Sequence, residues 1–148
     1  MKNKTTIHEF DPCIYPRLLW VVKGGSLEDI KDIFDAESIE EEEDGAVTFP
    51  VRRKEDNRLG YCVWFPKYRG IRNLDWIAHE SAHVALCIFN DVGAVITSDG
   101  QEPFAYLVGW VFKCIDTVRK LKEVKYGSDT SEQGCSEKIQ LETPCEEA

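Results

Sequence analysis

The chain has 148 residues, a formal net charge of -9 and a sequence pI near 4.8. That balance excludes a nucleic-acid backbone as the main ligand, which needs clustered Lys and Arg. At 43% hydrophobic the chain has enough apolar residues for one domain with a sizeable core. No apolar run reaches the ~18 residues of a membrane span, and Met1 to Thr6 lack the apolar core of a signal peptide. The sequence therefore predicts a cytoplasmic protein with no membrane partner.

Taken in order, residues 4–10 and 15–23 read as extended. Ile14, Leu18, Leu19, Trp20, Val21 and Val22 predict a strand buried on both faces. Gly24-Gly25 ends it. Ser26 then caps a short helix with Glu28 and Asp29 in its first turn and Leu27, Ile30, Ile33 and Phe34 on its apolar face. Residues 37–44 carry six acids and no base and read as a solvated loop.

A hairpin is predicted next, with arms at 46–53 and 58–66 and a turn at Glu55-Asp56-Asn57. Pro50 points to an edge position or a bulge in the first arm. Lys67 to Arg72 is a basic loop. A long helix follows from about Asn73 to Phe89, capped by Asn73 or Asp75, with Leu74, Ile77, Ala78, Ser81, Val84, Ala85 and Ile88 as its buried face. Gly93 stops it. After a connection at 94–101, a second long helix runs from about Glu102 to Lys122, with Pro103 in its first turn. Phe104, Leu107, Val108, Val111, Ile115 and Val118 form its core stripe. Small Ala105 and Gly109 are expected to pack against the first long helix. Residues 1–126 read as the single domain. Residues 127–148 hold six acids, one lysine and few apolar residues, and are expected to form an acidic, disordered tail. The six cysteines show no C-x-x-C spacing, so free thiols are expected.

The first long helix contains His79-Glu80-Ser81-Ala82-His83, an H-E-x-x-H pentapeptide holding two of the three histidines. Residues four apart share a helix face, so the two imidazoles can take one metal ion. Glu80 then projects beside the ion, where a carboxylate can activate water. Zinc is the expected ion, because two neutral imidazoles, a carboxylate and an open position make a common catalytic zinc shell. The bland alternative is two helix-surface histidines that pair or face solvent. A suitable acid, Glu102, follows with 18 residues between it and His83. Its own alternative is a helix N-terminal carboxylate favoured by the macrodipole.

His79, Glu80, His83 and Glu102 together resemble the gluzincin branch of the zincin metallopeptidases, and the short spacing resembles the minimal, single-domain minigluzincins. The resemblance covers roughly residues 46–120. Glu102-Pro-Phe-Ala-Tyr-Leu-Val-Gly-Trp also resembles small H-E-x-x-H proteins of phages and mobile elements in gut bacteria. The gluzincin resemblance implies an α+β, zincin-like fold: a small twisted mixed sheet packed on the H-E-x-x-H helix and on a second helix carrying the third ligand. It implies His79, His83 and Glu102 as zinc ligands and Glu80 as the general base that activates water and returns the proton to the leaving amine. It implies a peptide or protein substrate added as a strand along a sheet edge, for which Asn57–Phe65 is the candidate. Tyr106 stands where larger gluzincins often carry an acid that supports a histidine. Asp75 or Asp99 are substitutes for that acid, and Tyr106 is the candidate oxyanion donor, with Tyr68 and His8 behind it. Cys87, one turn after His83, reads as a buried thiol, and the tail cysteines Cys135 and Cys145 as remote alternatives for the ion. Two other functions stay open: a zincin-fold accessory or interaction protein that holds the metal and cleaves nothing, and a metal-free domain with an accidental motif.

Overall fold

The computed structural model describes residues 4–37, 39 and 45–121. Most of the acidic run at 37–44, and the expected tail with Cys135 and Cys145, lie outside the described residues. The fold is α+β. In chain order it comprises β1 (Thr6–Phe10), β2 (Leu18–Lys23), α1 (Leu27–Ile33), β3 (Phe34–Asp35), β4 (Val47–Arg53), β5 (Leu59–Phe65), a 3₁₀ turn at Gly70–Arg72, α2 (Leu74–Asp91) and α3 (Glu102–Lys120). The sheet is mixed, in the order β1-β2-β5-β4-β3. β2 and β5 run parallel, and the other neighbours are antiparallel. Among the described residues no helix is long and apolar enough to cross a membrane.

All of β2 is buried, as its unbroken apolar run requires. Alternation divides the two central strands between two cores. Leu19, Val21, Tyr61, Val63 and Phe65 face α2 and α3. Leu18, Trp20, Val22, Cys62 and Trp64 face α1, where Ile30 and Phe34 join them. α1 begins with a reciprocal cap: Ser26 Oγ accepts from the Asp29 N–H at 3.3 Å, and Asp29 Oδ2 accepts from the Ser26 N–H at 2.8 Å. Phe34 belongs to β3 rather than to the helix.

The hairpin of β4 and β5 forms where expected, but its edge is the other arm. β5 is interior, hydrogen-bonded to β2 on one side and β4 on the other. A second arm buried from Gly60 to Phe65 has no side left for a peptide. The edge lies along β4. Arg53 N–H donates to Arg58 O across the turn (2.9 Å), so odd-numbered residues of β4 pair inwards. Even-numbered Thr48, Pro50 and Arg52 therefore turn their backbone groups away from β5. β3 pairs only with Arg52 and Arg53. Val47 to Val51 thus has no strand on its outer side among the described residues. Pro50, lacking an N–H, sits at an outward position where no ladder bond is lost.

Asn73 caps α2, its Oδ1 accepting from the Asp75 N–H at 3.0 Å. The helix closes on Gly93 at φ 67: Gly93 N–H donates to Asn90 O, and Ala94 N–H to Phe89 O. Its buried face is Ile77, Glu80, Ser81, Val84, Ala85, Ile88 and Phe89. Leu74 and Ala78 were expected there but are exposed. The stripe is rotated towards Glu80 and Phe89, because α2 lies on β4 as well as on α3. α3 returns beside α2, with Phe89 and Phe104 rings 5.5 Å apart near the turn. It packs through Leu107, Val111, Cys114, Ile115 and Val118. Ala105 and Gly109 do not meet α2: both are exposed, and a Cβ on Gly109 would touch nothing within 4 Å. One apolar stripe meets both sheet and helix, so the small residues are left outside.

At the hairpin end, Arg53 binds Asp56 and Glu9, and its guanidinium lies 5.2 Å over the Trp20 ring. The Arg53 hydrogen bond holds the Asp56 carboxyl down to about 2. A carboxyl depressed on folding contributes stability above its unfolded value of 3.8 and loses it as pH falls through its folded one. Asp56→Asn should therefore lower the melting temperature at pH 7, with the difference from wild type shrinking between pH 4 and pH 2. Gly60 faces Leu18 across the parallel pair, and a Cβ there would stand 2.1 Å from Leu18 O. Gly60→Ala should cost about 1–3 kcal/mol of stability, read as a lowered urea midpoint with unchanged slope.

Candidate metal centre

α2 carries Asp75, His79, His83 and Cys87 at intervals of one turn, which places them along one side of the helix. His79 and His83 are exposed. Their Nε2 atoms stand 2.9 Å apart, with the rings edge to face at a centroid distance of 4.5 Å. One Nε2 donates this hydrogen bond and the other accepts it. Glu80, one residue on, turns inwards and is 5% exposed. There its Oε2 accepts a hydrogen bond from Thr48 Oγ1 at 2.6 Å, the short range of a hydroxyl on a carboxylate.

These residues line a cleft of about 800 Å³ between α2 and β4. The helix contributes Asp75, Trp76, His79, Glu80, His83 and Cys87, and the strand side contributes Gly45 to Thr48. Among the described residues no Lys or Arg lines it, and its acidic side chains are Asp75 and Glu80. At the far end of α2, Asp91 accepts from Tyr61 Oη at 2.6 Å and from Arg17 Nε at 2.9 Å. Burial and the Asp91 carboxylate raise the Tyr61 hydroxyl, so it acts as a donor throughout the neutral range. Burial and the same carboxylate raise the Cys87 thiol, which opposes thiolate formation and metal binding there.

The fit to a zinc-type ion is carried by the two imidazoles. Two bonds of about 2.0–2.1 Å readily span the 2.9 Å between the Nε2 atoms. Among the described residues no three His, Cys, Asp or Glu side chains converge as a metal-holding group. Glu102 is exposed at the start of α3 and does not line the cleft. The candidates for an oxyanion donor also lie elsewhere. Tyr106 is 75% exposed on α3. Tyr68 Oη donates to Lys4 O at 2.8 Å. His8 sits half-buried on β1, its imidazole lowered by burial and by Lys23. Of the two acids read as supports for a histidine, Asp75 lines the cleft and Asp99 lies in the exposed turn before α3.

Thr48 is the site residue that no sequence motif marks. Its signal was the alternation of β4, which places a polar side chain between Val47 and Phe49 on the face opposite theirs. Comparison with protein-family models, with curated proteins and with solved structures gives no match to this chain.

The pairing of His79 and His83 predicts a zinc content near one per chain after dialysis, lost in His83→Ala, by elemental analysis. Glu102→Ala separates two geometries. Loss of zinc means that the first turn of α3 closes on the histidines when the ion binds; retention means that the imidazoles hold it with solvent.

Proposed function

We propose that this protein is a small zinc-dependent metallopeptidase of gluzincin type. His79 and His83 hold the ion, Glu80 is the general base, and Glu102 is the third ligand that the resemblance implies. One observation carries the proposal: two imidazoles with Nε2 atoms 2.9 Å apart share a cleft with a buried carboxylate, beside an open strand edge. A bound zinc ion supplies a Lewis acid and a water of lowered pKa.

The chain's own residues do the rest. The outward backbone of β4 offers hydrogen bonds to an extended peptide, which would lie along Val47 to Val51 rather than along β5. Glu80 takes a proton from the attacking water and gives it to the leaving nitrogen. Burial and the Thr48 hydroxyl keep its carboxylate in one orientation while it does so. Tyr106, outside the cleft, carries no step in this mechanism.

A second function has its own support. The two histidines stand without a third converging side chain among the described residues, and Glu80 is already bound to Thr48. An accessory or interaction protein that holds a metal but hydrolyses nothing would have these features. The two separate on turnover. The peptidase proposal expects the zinc-loaded chain to cleave members of a broad fluorogenic peptide library, and Glu80→Gln to lose at least 100-fold in kcat while keeping its zinc. Full turnover in Glu80→Gln, or none in the wild type, removes the peptidase.

A further inference from the structure

Thr48 meets the proposed machinery from two directions. Its side chain, on the α2 side of β4, donates to Glu80 Oε2 at 2.6 Å. Its backbone N–H and C=O, on an even-numbered position, face away from β5 (the Arg53–Arg58 bond fixes that parity). β3 reaches only Arg52 and Arg53. Pro50, the next outward residue, has no N–H to give. Among the described residues, Thr48 is therefore the outward residue of β4, between the cleft and β3, that offers both a donor and an acceptor to an incoming strand. It stands within one hydrogen bond of the base.

We propose, resting on the peptidase mechanism above, that Thr48 is the positioning residue of this site. Its hydroxyl fixes the Glu80 carboxylate, and its backbone pairs with the bound peptide, so one residue sets the register between the substrate strand and the base. Burial makes each hydrogen bond to the carboxylate count. A carboxylate that is 5% exposed has little water to solvate it, and a partner on the strand wall holds it against the sheet rather than letting it swing into the cleft. Glu80 is the group that acts; Thr48 acts through it.

The substitution that isolates the hydroxyl is Thr48→Val, which keeps the shape, the strand preference and the backbone edge. Thr48→Ser restores the hydroxyl without the methyl. Both are compared with wild type as full-length, zinc-loaded chains, on the library peptide that the wild type cleaves fastest. The expected result is a kcat lowered about 10- to 100-fold in Thr48→Val, with KM changed less than about threefold, and kcat largely restored in Thr48→Ser. An unchanged kcat in Thr48→Val overturns the inference while leaving the peptidase standing. So does a rise in KM alone, or a Thr48→Ser variant as slow as Thr48→Val. A wild type without turnover overturns both together.

A measurement independent of activity uses the zinc-free chain. Thr48→Val, Glu80→Leu, which removes the acceptor, and the double variant are melted side by side. Coupled residues should give a double variant whose fall in melting temperature departs clearly from the sum of the two single falls. Simple addition would show that the hydroxyl does not hold the carboxylate, and would overturn the inference whatever the kinetics.

Discussion

Everything in this fold follows from two strands that are buried on both faces. β2 and β5 run parallel at the centre of the sheet, and Trp20, Val22, Val63 and Trp64 are fully buried there. Burying each such side chain is worth about 1.5–3 kcal/mol or more, so each face needs its own cover. A parallel pair cannot be joined by a tight turn. The connection from β2 to β5 therefore leaves the sheet, forms α1 over one face, and returns through β3 and β4. That return lays β4 outside β5. The other face is covered by α2 and α3, which follow β5 directly. The cleft is the seam between those two solutions, where the N-terminal part of β4 meets the side of α2.

The seam sorts neighbouring residues of one helical turn into different environments. His79 and His83 point to solvent, while Glu80 turns in beside Ile77 and Val84. Ser81, fully buried next to it, satisfies its hydroxyl on Ile77 O at 2.6 Å. A carboxylate is harder to bury, at several kcal/mol if left without partners. A hydrogen bond from Thr48 offsets part of that cost, since bonds to charged groups contribute about 1.5–3 kcal/mol. An apolar residue at position 80 would pack here without any such help. A buried acid between two exposed imidazoles is thus a local conflict with stability, which is where sites of chemistry tend to be found.

The elements were legible in the sequence because they depend on local pattern. Ser26 and Asp29 announce a capping box, Asn73 a cap, Gly93 a stop, and the run from Leu18 to Val22 a doubly buried strand. What each element touches is not local. Alternation tells which residues share a face of β5 but not which strands flank it, so it does not reveal that the second arm of the hairpin is interior. The correct indicator was Pro50, which marks the first arm as the one with an outward N–H to spare. The same limit applies to the helices. Period alone could not show that α2 would lean on β4 and bury Glu80 instead of Ala78. Nor could it show that α3 would leave Ala105 and Gly109 outside. Pairing of His79 with His83 follows from helix geometry and was readable. The Thr48 contact lies 32 residues from Glu80 in the chain and was not.

The edge itself argues for a use. Unpaired strand edges invite association with other chains, and proteins usually block them with proline, charge or a covering segment. Among the described residues, β4 is blocked along only half its length. Arg52 and Arg53 are covered by β3, with Arg52 held to Asp35 at 2.7 Å, and Pro50 removes the next donor. The half left open runs past Val47 and Thr48, beside His79, Glu80 and His83. Protection against chance pairing would serve the open half as well as the blocked one. Among the described residues, an edge left without a strand where it passes the histidines and the buried acid supports the proposed strand-wise docking of a peptide: affinity would come from main-chain hydrogen bonds, and position from the point at which they stop.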